Sequence, residues 1–226
     1  MARAARIVRR IAAAYPDARI ALHYRNPFEL IVATILSAQC ADEKVNEVTP
    51  ALFRRYPTPR ALADADPGEL EALIRPTGFF RQKARSLLAT AREVDERFAG
   101  EVPRSMEGLT SLRGVARKTA NVVLGEAFGV PGLAIDTHMK RVHQRLALTR
   151  SEDPEQIERD LMDLVPRRSW TTHTRRMIHH GRVCCQARTP HCEVCPIRAD
   201  CPWGNAAQPR RSEPRANGVQ RPGSAR

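Results

Sequence analysis

The chain has 226 residues, 42% apolar and 27% charged, which excludes a disordered polyelectrolyte and leaves room for one large domain or two small ones with real cores. Its formal net charge is +12, of which residues 204–226 (five Arg, one Glu) supply +4 and residues 1–203 the remaining +8, so a polyanion is the expected partner of the folded body. Aromatics at 5% exclude a binder that stacks base after base, and no apolar run reaches the ~18 residues needed to cross a membrane.

Helical periodicity dominates from the start. The Arg-rich segment from Met1 places Ile7 and Ile11 at helical spacing and reads as the first helix of the fold, with a cytoplasmic, nucleoid-associated location expected. Pro27 opens an apolar helix running to Ser37. Asp42 to Phe53 forms the next, expected to break near Pro50. Asp66-Pro67 is an N-cap and Pro start for a short helix that ends before Pro76 and Gly78. Residues 80–98 form a long amphipathic helix closed by Gly100. Ser105–Leu112 and Arg117–Phe128 flank a glycine turn, Asp136 N-caps a helix over 138–147, and Asp153–Leu164 gives another. No strand alternation is visible, so the fold class is all-α. From Gly204 onward, Pro, Gly, Ser, Asn and Arg replace core residues, which predicts a disordered basic tail over 204–226.

The glycine turn, Leu112-Arg113-Gly114-Val115-Ala116-Arg117-Lys118, opens directly into a helix. A helix N-terminus carries unpaired N–H groups and positive dipole charge, so with Arg113 and Arg117 beside it this turn is a natural phosphate seat. Lys118 stands out by composition, because 33 of the 37 basic residues are arginine and the lysines are only Lys44, Lys83, Lys118 and Lys140. An amine can lose its proton and attack carbon, which a guanidinium effectively cannot.

Cys185, Cys192, Cys195 and Cys201 are separated by six, two and five intervening residues in a loop-rich stretch, a density that points to one metal centre rather than to disulfides. The spacing leaves structural zinc and an iron–sulfur cluster both open. Cys40 and Cys184 fall outside the pattern and read as spare thiols, and His179 and His180 as packing or surface residues.

Taken together, the lysine-bearing turn, Asp136 and the uneven cysteine loop resemble the endonuclease III family of DNA repair glycosylases over residues 4–203. The resemblance implies two helical lobes with a helix–hairpin–helix at the cleft between them. Residues 1–20 and 131–203 would form one lobe, residues 21–130 the other, and residues 105–128 the hairpin unit. It implies a [4Fe–4S] cluster on Cys185, Cys192, Cys195 and Cys201, and a monomer acting on double-stranded DNA with damaged bases or abasic sites. Lys118 is then the nucleophile that forms a Schiff base, Asp136 its carboxylate partner, and Gln39 and Phe79 the side chains that fill the gap left by an extruded nucleotide. Arg113, Gly114, Ala116, Arg117 and Arg188 are expected at the DNA backbone. Three positions depart from the family pattern: Arg113 replaces Pro, Ala116 replaces the second Gly of the hairpin, and Ala41 replaces Thr. If position 116 requires φ > 0, alanine there is strained.

The implied activity is that of a bifunctional glycosylase and AP lyase acting on oxidised pyrimidines and cutting by β-elimination. The rival readings are a monofunctional glycosylase of the same fold, a non-catalytic binder of damaged DNA, and a zinc-binding DNA module.

Overall fold

The computed structural model describes residues 2–206, and among them it is helical without strands. The chain runs through α1 (Ala2–Ala14), α2 (Pro27–Leu36), α3 (Asp42–Arg55), α4 (Pro59–Ala63), α5 (Pro67–Ile74), a 3₁₀ turn (Arg75–Thr77) and α6 (Phe80–Phe98). It continues through α7 (Met106–Thr110), α8 (Arg117–Ala127), α9 (Thr137–Arg145), α10 (Pro154–Met162), α11 (Trp170–Val183) and α12 (Pro202–Ala206).

Local chemistry sets half of the α-helix starts. The side chains of Asn26, Thr58, Asp66, Ser105, Asp136 and Asp153 each accept a backbone N–H of the first turn, and four of these helices carry Pro just inside. Pro50 does not break α3. Its missing N–H and ring clash cost roughly 3 kcal/mol, and burial of Val45, Val48, Leu52 and Phe53 on the same helix outweighs that.

Two hydrophobic cores result. The larger gathers α2–α8 around Leu30, Ile31, Leu52, Leu70, Leu87, Leu109 and Val123. The smaller joins Ile7 and Ile11 of α1 to Leu133, Met139, Val142, Ile157, Leu161, Trp170 and Met177, so the N-terminal helix packs with the C-terminal third. Each core belongs to one helical lobe. Where α8 meets α11, a Cβ on Gly125 would lie 2.6 Å from Thr171 Oγ1, so only glycine permits the approach.

Helix α11 is an element that hydrophobic periodicity does not reveal. Its inward face carries His173, Thr174, His180 and Gly181 beside Trp170 and Met177, so four of the six buried positions are polar or small. The predicted tail also begins later than composition implies, because Gly204–Ala206 complete α12 beside the cysteine loop. The rest of that segment, 207–226, lies outside the described residues.

Candidate active site and cysteine-rich centre

The helix–hairpin–helix is α7, the turn Ser111–Ala116, and α8. Gly114 takes φ +83°, a backbone conformation that favours glycine, and a Cβ there would sit tightly against Ser86 Cβ at 3.1 Å. The turn is bolted to α6 by two bonds: Arg113 N–H donates to Glu93 Oε2 at 2.7 Å, and Thr90 Oγ1 donates to Arg113 O. Ala116 sits at φ −81°, ψ 168° as the N-cap of α8, so the feared strain is absent. Alanine offers no capping oxygen, and the first amides of α8 have no side-chain acceptor.

Lys118, on the first turn of α8, is exposed. Among the described residues the other three lysines are engaged: Lys44 with Glu47, Lys140 with Glu152, and Lys83 with two buried carbonyls. Of the four, only the Lys118 side chain has no ion pair or hydrogen bond among the described residues. It lines a cleft of about 180 Å³ between the two lobes together with Ser37, Asp42, Asp136, Arg175 and Arg182. Asp136 is half-buried, and its Oδ1 caps α9 by accepting Met139 N–H at 2.7 Å.

Gln39 and Phe79 are both exposed, Phe79 to 63%, and both are non-glycine residues in left-handed conformation, at φ +52° and +48°. Phe80, not Phe79, is the partner that packs against the core. Arg113 and Arg188 are exposed, with no ion pair among the described residues.

Arg117 departs from the phosphate role expected of it. Its Nε and Nη2 donate to Glu158 at 2.7 and 3.1 Å, and Glu158 is only 4% exposed and also accepts from Asn121 Nδ2. Most of this guanidinium is committed to compensating a buried carboxylate on α10. Two further ion pairs join the helices of the two cores: Arg175 of α11 with Glu126 of α8, and Arg182 of α11 with Asp42 of α3 at 2.7 Å. Sequence reasoning missed all three, because neither partner's position follows from local spacing.

Cys185, Cys192, Cys195 and Cys201 all line one cavity near the C-terminal end of the described residues. Its donor set fits a thiolate-held group: Arg145 Nη1 donates to Cys185 Sγ and Gly204 N–H to Cys201 Sγ, both at 3.3 Å, and N–H donors stabilise sulfur carrying negative charge. Asp200, next to Cys201, is held by Arg6 and Arg10 of α1. His180 and Cys184, which spacing left out, also face the cavity, and their ligand atoms lie within 4.8 Å of each other and of Cys195 Sγ. Both already have partners: His180 Nδ1 meets Tyr15 OH at 3.0 Å, and Cys184 Sγ meets His191 O at 3.5 Å. Burial, with Cys195 nearby, pushes the Cys184 thiol up to about 12, and burial also raises the thiols of Cys192 and Cys195.

The fold and hairpin thus define a helix–hairpin–helix protein with a cysteine-rich C-terminal loop. The family model described as HhH-GPD superfamily base excision DNA repair protein matches residues 32–167. Among its relatives, endonuclease III of Synechocystis sp. is 54% identical over 194 residues, covering 85% of this chain and 89% of that protein. Endonuclease III of Bacillus subtilis is 42% identical over 191 residues, covering 84% and 87%. A trapped endonuclease III–DNA covalent intermediate superposes with TM-score 0.85 at 43% identity, covering 88% of this chain and 94% of that one. A non-covalent endonuclease III–DNA complex matches at TM-score 0.85 and 42% identity, covering 89% and 94%. The chain belongs to the HhH-GPD superfamily and, within it, to the endonuclease III family. No described helix is long and apolar enough to cross a membrane.

Proposed function

We propose that the chain is a bifunctional DNA glycosylase and AP lyase of base excision repair that removes oxidised pyrimidines from duplex DNA and cuts the strand by β-elimination. The observation that carries this reading is Lys118, an unpartnered lysine at a helix N-terminus, on the same cleft as Asp136. Its neutral amine attacks C1′ of an extruded nucleoside, the C1′–N bond breaks, and the base leaves with a proton. Ring opening gives a Schiff base between Lys118 and the sugar. Loss of a C2′ proton then expels the 3′ phosphate, and water releases the lysine. Asp136 keeps Oδ2 beyond its capping bond, and that oxygen takes the lysine proton or balances charge growing on the sugar, worth about 10²–10⁴-fold as a general base.

Gln39 and Phe79 fill the space of the extruded nucleotide. The uncapped amides of α8, with Arg113, Gly114 and Ala116, seat one phosphate and Arg188 another, while Arg117 contributes mainly by holding the lobes together. Cys185, Cys192, Cys195 and Cys201 would hold a [4Fe–4S] cluster, which when bound cross-links the loop carrying Arg188. Residues 21–130 form one lobe, and residues 1–20 with 131–203 the other.

A duplex carrying one thymine glycol tests the reading. The expected products are the free base and a strand ending in a 3′ unsaturated aldehyde. Base release without cutting would favour a monofunctional glycosylase, and tight binding with neither product a non-catalytic binder.

A further inference from the structure

We infer that Lys83 is a positioning residue that ties the loops of Gln39 and Phe79 together, so that the two side chains enter the DNA stack as one unit; this rests on the gap-filling role proposed above for both. Lys83 lies on α6 and is only 4% exposed. Its Nζ donates to Leu36 O at 2.8 Å and to Thr77 O at 2.7 Å. Leu36 is the last residue of α2 and Thr77 the last of the 3₁₀ turn, so both carbonyls lie where helical partners run out and the dipole leaves negative charge. Gln39 follows three residues after the first carbonyl, and Phe79 two residues after the second. The Lys83 backbone N–H also donates to Phe79 O at 3.0 Å. One residue therefore holds three carbonyls across both loops.

The loops need such a tie. Gln39 and Phe79 each occupy a left-handed conformation unfavourable for a residue with a Cβ, and such conformations persist only where the surroundings over-determine them. A side chain inserted into stacked bases must also resist being pushed back, because unstacking and kinking the duplex is uphill. An ammonium suits this place: it is compact and its three donors can be shared among separate carbonyls, whereas a planar guanidinium has a fixed fork. That accounts for a second retained lysine in a chain otherwise built on arginine. Burial lowers the pKa of the Lys83 amine, with Cys40, the residue after Gln39, acting in the opposite direction.

The test compares single-turnover base release from a thymine glycol duplex for Lys83→Met, for the double variant Gln39→Ala/Phe79→Ala, and for the triple variant. Insertion is read separately from 2-aminopurine fluorescence beside a tetrahydrofuran abasic analogue. Far-UV circular dichroism checks folding, and Lys83→Gln, which keeps a donor, replaces Lys83→Met if the latter unfolds. The double variant is expected to lose about tenfold or more in rate, Lys83→Met a comparable factor with a weaker 2-aminopurine signal, and the triple variant no more than about twofold beyond the double. A purely structural lysine would instead subtract the same factor in both backgrounds. That additivity, or a Lys83→Met rate equal to wild type while the double variant is slow, overturns the tie and leaves the active-site reading standing. A double variant as fast as wild type overturns the gap-filling role of Gln39 and Phe79, and the tie falls with it.

Discussion

The two cores are built on different principles. Helices α2–α8 enclose a broad apolar interior in which Leu30, Ile31, Leu36, Leu70, Ile74 and Leu109 are fully buried. The core shared by α1 and α9–α11 is smaller and threaded with polar contacts: His143 against His173, Arg6 and Arg10 on Asp200, and thiols around one cavity. The first lobe is held by area removed from water and the second by specific partners, so the second should fail first whenever a partner is removed.

The largest expected effect separates the two lobes outright. Cys192→Ser or Cys195→Ser should strip hydrogen-exchange protection from α9–α11 while α2–α6 stay protected, because a metal group that binds only the folded loop contributes its binding free energy to folding. Cys40→Ser and Cys184→Ser should each cost less than about 1 kcal/mol, since a hydroxyl can take over the bonds to Ala41 O and His191 O. Equal loss of protection in both lobes would mean that they do not differ in this way.

Next is the contact between the lobes. Arg117→Ala leaves Glu158 buried with Asn121 as its remaining partner and should cost about 3 kcal/mol in chemical denaturation, with little change in the salt dependence of DNA binding. An unchanged midpoint with a shallower salt slope would return Arg117 to the phosphate surface.

A pH effect of intermediate size should fall on the second lobe. His143 Nδ1–H donates to Met139 O, so its Nε2 accepts from His173, and both rings are buried and neutral. Burial lowers the His143 pKa to about 4 and holds that of His173 well below the usual value. The unfolded chain therefore binds protons first, and stability is complete above about pH 6.5 and drains away as pH falls towards 4. At pH 5 the loss from His143 alone should be about 2 kcal/mol, seen as a lower melting temperature that His143→Gln makes less pH-dependent. An identical slope in that variant would remove the histidine pair from the account.

The smallest effect concerns the hairpin. With φ −81° at Ala116, Ala116→Gly should gain no DNA affinity and should cost about 0.5–1 kcal/mol through backbone entropy. Stabilisation on that change would show the alanine to be strained.

How much was legible follows from the same contrast. Period and start signals exposed α2, α5, α6, α8 and α9, because apolar faces, a Pro start at Pro27 and Asp caps at Asp66 and Asp136 are local signals. Helix α11 was hidden because it buries histidine and threonine, and Pro50 misled because tertiary burial outweighed a local penalty. In the site, Lys118 and Asp136 were visible as departures from the chain's own habits and as a cap. The tie made by Lys83 and the compensation of Glu158 by Arg117 were not, since each joins residues more than 40 positions apart.

The most direct measurement is to trap the protein on abasic duplex DNA with borohydride and map the modified residue by peptide mass spectrometry. The account predicts an adduct on Lys118, abolished with strand cutting in Lys118→Gln and nearly so in Lys118→Arg, whose guanidinium keeps its proton. An adduct on Lys140 or the N-terminal amine, or undiminished trapping by Lys118→Gln, would contradict it.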